Sequence, residues 1–264
     1  MSTSTAFEKT RAEGRAALVG YLPAGFPDVP GSITAMKAMV DAGCDVIEIG
    51  LPYSDPVMDG PTIQAAAQRA LDGGVRTKDV LAAVEAVAAT GTPTLVMTYW
   101  NPIERYGVER FATDLANAGG AGLITPDLTP DSGAEWIAAA DAQDLDKVFL
   151  VAPSSTDQRL AMTTAACRGF VYATAVMGVT GARASTSELA GPLVARAKQT
   201  TSLPIGVGLG VSNGDQAAEV ASYADAVIVG SAFVRTLLDA PDLAAGEKAL
   251  RALTEDLAAG VRRG

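Results

Sequence analysis

The hexapeptide Asp45-Val46-Ile47-Glu48-Ile49-Gly50 decides how the rest of the chain is read. It is short and apolar, with a carboxylate buried in its middle. A run of this kind between turn residues reads as a strand covered on both faces. Upstream, residues 33–42 carry apolar side chains at helical spacing. Downstream, Leu51-Pro52-Tyr53-Ser54-Asp55-Pro56-Val57-Met58-Asp59-Gly60-Pro61 is a loop whose prolines and glycine lead into a helix opening at Pro61-Thr62. Helix, buried strand, loop and helix make the unit of an alternating α/β fold.

The same unit recurs along the chain. Similar apolar runs occupy residues 17–22, 94–98, 121–125, 147–152, 169–174, 203–208 and 225–230. Between them, residues 62–71, 77–89, 135–142, 157–166, 189–198 and 243–259 show helical spacing. Asp131-Ser132, Ser155-Thr156 and Ser212-Asn213 supply helix-capping side chains. Eight strand–helix units predict a (β/α)8 TIM barrel of eight parallel strands, residues 1–264 forming one domain. The first 15 residues read as an extra helix covering the barrel floor. An open doubly wound sheet is the alternative arrangement of the same pattern.

Composition narrows the function. The 264 residues carry a net charge of −10, 48% hydrophobic residues and no histidine. The lack of a basic run argues against a nucleic-acid or anionic-membrane partner. Without histidine there is no Ser-His-Asp triad, HExxH zinc site or imidazole proton shuttle. Cys44 and Cys167 are too few for a four-cysteine zinc site, so no metal is expected. The longest uncharged stretch, residues 86–103, is broken by Gly91, Pro93 and Pro102 and is no membrane span. The polar first 15 residues lack an apolar signal region, so a cytoplasmic protein is expected.

In a barrel, chemistry gathers where the strands end at their C-termini. Strand alternation puts Val46, Glu48 and Gly50 on one face. If that face is the interior, Glu48 lies among aliphatic side chains and tends to keep its proton. The other reading is a structural ion pair. Of six lysines only Lys147 touches a predicted strand, at its floor end, and Arg168 also lies at the floor. Asp59 follows eleven residues later and either faces a substrate or serves the start of the next helix. Gly206-Val207-Gly208-Leu209-Gly210 and Gly230-Ser231 sit where barrels build phosphate sites from backbone N–H groups and a helix N-terminus; turn geometry alone is the other reading. Met177-Gly178-Val179-Thr180-Gly181-Ala182-Arg183 reads as a hinged lid or a plain surface loop. Together these describe a binder of a small phosphorylated molecule that moves protons with carboxylates. No Schiff-base lysine or metal set is evident, so chemistry on a substrate with its own electron sink fits best.

The run 47–56, followed by Asp59-Gly60-Pro61-Thr62-Ile63-Gln64, resembles the signature of the tryptophan synthase α-subunit family. Met97-Thr98-Tyr99-Trp100-Asn101-Pro102-Ile103, Gly178-Val179-Thr180-Gly181 and the late glycines are similar to its other characteristic stretches, and the likeness runs from about residue 7 to 260. The resemblance implies cleavage of indole-3-glycerol phosphate to indole and glyceraldehyde 3-phosphate, with Glu48 as general acid–base and Asp59 holding the indole N–H. It implies an indole pocket of Tyr21, Met97, Tyr99, Ile124, Tyr172, Leu209 and Ile228. Gly181, Gly210, Gly230 and Ser231 then hold the phosphate, and Thr180 helps close the lid. It further implies an αββα heterotetramer with a β subunit, which receives indole and carries pyridoxal phosphate. Asp55 and Asn101 fall at that interface, and this chain itself holds no cofactor. Two stretches depart from the family pattern: Ala175-Val176-Met177 stands where many members carry Ser-Arg, and Met58 replaces a residue that is often small. The rival functions are another phosphate-binding barrel, an isomerase or epimerase, and a catalytically idle barrel that activates a β partner.

Overall fold

Eight parallel strands close into a barrel in sequence order: β1 (Ala17–Pro23), β2 (Val46–Gly50), β3 (Thr94–Met97), β4 (Gly122–Thr125), β5 (Asp146–Val151), β6 (Val171–Thr174), β7 (Ile205–Gly208) and β8 (Ala226–Val229). Closure comes from β1 pairing with β8 as well as with β2. The open doubly wound alternative is thereby excluded. The computed structural model describes residues 2–174 and 187–264.

Strand alternation sorts the core into two layers. Val19, Val46, Leu95, Ile124, Val148, Phe170 and Ile228 turn inward and fill the barrel. Leu18, Ile47, Ile49, Val96, Leu123, Val171, Val207 and Val229 turn outward against the helices. Both faces of each strand are therefore dry, which is why the runs read as nearly continuous apolar stretches.

The expected helices are α2 (Val29–Ala42), α3 (Pro61–Asp72), α4 (Thr77–Ala88), α7 (Ala134–Ala142), α8 (Asp157–Ala166), α9 (Ser187–Lys198), α10 (Gly214–Ala221), α11 (Ser231–Leu238) and α12 (Leu243–Gly260). Thr156 and Asn213 cap α8 and α10 by accepting from the N–H groups of Arg159 and Gln216. Asp131-Ser132 does not cap α7. That helix starts one residue later, from Gly133, with no side-chain cap. The Asp131 carboxylate is drawn instead to Arg159, at 3.0 Å, and the Ser132 hydroxyl bonds back to Thr129 O. The sequence reading did not single out α5 (Trp100–Tyr106) and α6 (Val108–Asn117), which connect β3 to β4.

The expected N-terminal helix is α1 (Ser4–Ala12). Phe7 stacks on Phe170 at 5.4 Å and plugs the barrel from below. Asp146, wholly buried at the start of β5, accepts from Thr3 N and Thr3 Oγ1, both at 2.7 Å, and from Ser2 Oγ at 2.9 Å. Arg168 Nε lies 3.6 Å from the same carboxylate. Nearby, Arg15 holds Asp45 through two guanidinium nitrogens at 2.7 and 2.8 Å, and Lys147 pairs with Asp141.

Candidate active site

The opposite end of the barrel is open. A cavity there is lined by Tyr21, Glu48, Asp59, Met97, Tyr99, Tyr172, Leu209, Gly210, Ile228, Gly230 and Ser231, all singled out from the sequence. Gly208 of the expected phosphate stretch and Met58 of the loop after β2 line it too, and Leu51, Ile63, Thr98, Pro126, Leu150 and Thr174, which were given no site role, complete it. Alternation was the available signal for two of these: Leu150 shares the inward face of Val148, and Thr174 that of Tyr172.

Glu48 is the chemical centre of the cavity. Its register partners are Tyr21 on β1 and Leu95 on β3. The side chain points inward, is 1% exposed, and neither carboxyl oxygen has a hydrogen-bond partner among the described residues. No described Lys or Arg lines the cavity. Burial alone therefore pushes the carboxyl from its ordinary 4.5 up to about 8. The ion-pair alternative does not hold among the described residues: the strand-end cations stand at the floor with partners of their own.

Two tyrosines frame this acid because glycines leave room for them. A Cβ on Gly50 would fall 2.3 Å from the Tyr21 hydroxyl, and one on Gly208 would fall 2.5 Å from the Tyr172 hydroxyl. Both rings thus lie across a neighbouring strand's glycine. Burial, reinforced by Asp59 and Glu48 at Tyr21 and by Glu48 at Tyr172, pushes both phenols upward and keeps them protonated.

Asp59 sits partly buried on the loop after β2, and desolvation raises its carboxyl. A hydrogen bond from the Tyr99 side chain works in the opposite direction. The Tyr99 hydroxyl also accepts from Met58 N at 2.9 Å, and burial raises that phenol to about 12.

Gly210, Gly230 and Ser231 line the far side of the cavity. Gly210 has φ +74°, a conformation that favours glycine. Gly230 is the N-cap of α11 and has no side-chain cap, so the first N–H groups of that helix are unclaimed by a capping side chain. This is the geometry that receives an anion.

Three expected positions lie away from the cavity and two fall outside the described residues. Ile124 does not line the cavity; it is wholly buried in the barrel filling, and Pro126 on the same face takes the lining position. Its register partner Met97 does reach the cavity, so neither inward phase nor register alone sets which side chains line it. Asp55 and Asn101 are exposed on the outer rim, with Asn101 Nδ2 donating to the Tyr53 hydroxyl at 3.1 Å. Phe7, which plugs the floor, marks the far end of the axis. Thr180 and Gly181, together with Ala175-Val176-Met177, lie outside the described residues. Among the described residues no three Cys, Asp or Glu side chains converge as a metal site, and no helix is long and apolar enough to cross a membrane.

Comparison with known proteins agrees with this geometry. Residues 7–262 match the family model described as tryptophan synthase alpha chain. The tryptophan synthase alpha chain of Salinispora arenicola is 66% identical over 257 residues, covering 97% of this chain and 96% of the relative. That of Acidothermus cellulolyticus is 62% identical over 258 residues, covering 98% and 96%. A structure of Mycobacterium tuberculosis tryptophan synthase superposes with a TM-score of 0.94 at 58% identity, covering 99% of this chain and 98% of that one.

Proposed function

The chain belongs to the tryptophan synthase alpha chain family, and from that premise we propose how its barrel mouth cleaves indole-3-glycerol phosphate to indole and glyceraldehyde 3-phosphate. The observation that carries the reading is Glu48: a buried carboxyl with no hydrogen-bond partner among the described residues, pushed up to about 8 by burial. Such a group gives up a proton and takes one back close to neutral pH, as a general acid–base must.

The protonated Glu48 carboxyl delivers its proton to ring C3 of the indole. The ring becomes cationic, with the charge shared by its nitrogen. Asp59 accepts a hydrogen bond from the indole N–H and stabilises that charge. The Glu48 carboxylate then removes the proton from the hydroxyl on the carbon bonded to C3. That carbon becomes the aldehyde, the carbon–carbon bond breaks, and its electron pair restores the aromatic ring. Glu48 ends protonated, as it began. The ring itself absorbs the electrons, so the step uses neither a lysine nor a metal ion.

Tyr21, Met97, Tyr99, Tyr172, Leu209 and Ile228 form the walls for the indole. Gly210, Gly230 and Ser231 hold the phosphate, with Gly181 as a further backbone contact and Thr180 closing over Asp59. Backbone N–H groups and the dipole of α11 attract the anion, so an acidic chain binds it without a basic patch. Residues 1–264 act as one barrel domain in the cytoplasm. The partner is the β subunit, in an αββα assembly, met by Asp55 and Asn101 on the rim. Pyridoxal phosphate belongs to that partner; among the described residues no lysine lines this cavity.

The test is direct. The purified chain is mixed with indole-3-glycerol phosphate and indole is followed, with and without the β subunit. Indole release in both arms, faster with β, is expected. Binding of the phosphorylated substrate without any indole in either arm overturns the lyase assignment and favours an idle barrel.

A further inference from the structure

We propose that Tyr53 is a positioning residue for the Asp59 carboxylate, acting through the Tyr99 side chain; this rests on the reading of Asp59 above. Tyr53 does not line the cavity. It sits half-buried on the same loop as Asp59, six residues earlier. Its ring lies 5.4 Å from that of Tyr99, inclined at 39°. Its hydroxyl is fixed by Asn101 Nδ2 at 3.1 Å.

Tyr99 is gripped from several sides. Its hydroxyl accepts from Met58 N at 2.9 Å and hydrogen-bonds Asp59. The next residue, Trp100, donates its N–H to both Asp127 carboxyl oxygens at 2.9 and 3.1 Å, which fixes the start of α5. Tyr53 covers one side of the ring. The loop therefore clasps Tyr99 between its first half, at Tyr53, and its second half, at Met58-Asp59. Tilted aromatic pairs at this separation are favourable contacts. Removing the Tyr53 ring frees Tyr99 to rock, and the carboxylate loses a fixed donor. A misplaced carboxylate weakens stabilisation of the charge that develops on the indole, more than it weakens substrate binding.

The experiment measures kcat and KM for indole release by the full chain. With one hydrogen bond to a carboxylate at stake, Tyr53→Leu is expected to lower kcat about fivefold while KM stays within about twofold, and Tyr99→Phe to lower kcat about tenfold. Tyr53→Phe keeps the ring and should hold kcat within about twofold, since it loses only the Asn101 bond. In the Tyr99→Phe background, Tyr53→Leu should have little further effect, because its route of action is gone. An unchanged kcat in Tyr53→Leu, an undiminished loss on top of Tyr99→Phe, or failure of phenylalanine to rescue overturns the proposal. Asp59→Asn is measured separately. Wild-type kcat there removes the role of Asp59 itself, whereas a loss there beside an unaffected Tyr53→Leu removes the role of Tyr53 alone.

Discussion

The two ends of the barrel treat buried carboxylates in opposite ways. At the floor, Asp146 accepts hydrogen bonds from Ser2 and Thr3 with Arg168 close by, and Asp45 is clamped by Arg15. At the mouth, Glu48 is as deeply buried and has no hydrogen-bond partner among the described residues. The floor acids have hydrogen-bond donors and cations beside them. The mouth acid is surrounded by apolar atoms and by hydroxyls that do not reach it, which favour the neutral form. One end closes the barrel and ties down α1, and the other gives up stability to hold a titratable proton where a substrate arrives.

The largest expected effect is at Glu48. Glu48→Gln keeps shape and removes the proton, so indole release should fall by about 10²–10⁴ while binding of the phosphorylated substrate is retained. Near-wild-type turnover would break the comparison at once. The same variant tests the energetic cost. Glu48 titrates from its ordinary 4.5 up to about 8 on folding, so the folded state keeps a proton that the unfolded chain releases. Its contribution to stability is fully present below pH 4.5 and is lost as pH rises through about 8. Unfolding free energy of the wild type should therefore fall relative to Glu48→Gln by about 1.4 kcal/mol per pH unit across that window. Parallel stability profiles from urea unfolding at pH 5, 6, 7 and 8 would contradict it.

Asp146→Ala should show the converse. It orphans the Thr3 N–H and hydroxyl and leaves Arg168 near a dry pocket, so stability should drop by about 2–4 kcal/mol. KM for the substrate should not move, since the floor is remote from the cavity. A neutral effect on urea unfolding would mean that the floor network does not hold α1 in place.

How much of this was legible follows the same division. The strands were readable because both faces of each are dry, and alternation put Glu48 on one face with Val46 and Gly50, but that this face is the interior came from the structure. Which inward side chains reach the cavity was not readable: Ile124 and Glu48 both face inward, yet only Glu48 lines it. The spacing of Val108, Phe111, Ala112 and Leu115, all buried in α6, was a helical signal that went unused. Asp131 shows another limit: a good capping residue was diverted by Arg159, 28 residues away in sequence. The Tyr53–Tyr99 contact was hidden for the same reason, since it arises where a loop meets the next strand's end.

The smallest expected effect sharpens the comparison within the mouth itself, between its acidic and its anion-receiving sides. Gly230 can be replaced without strain. Its φ is −125°, and a Cβ there would meet its nearest neighbour, Tyr21, at 3.4 Å. Gly230→Ala should therefore fold normally and weaken phosphate binding less than about threefold through crowding alone. Gly230→Asp adds a negative charge beside the proposed phosphate. Like charges about 6 Å apart repel by roughly 1–3 kcal/mol between water-like and protein-like screening, which predicts a loss of about tenfold or more in affinity for glyceraldehyde 3-phosphate. The excess over alanine should shrink with added salt, because exposed charges are screened within about 10 Å at 0.1 M. Equal affinities for the two variants at low salt would place the phosphate away from the start of α11, and with it the whole orientation of the substrate over Glu48.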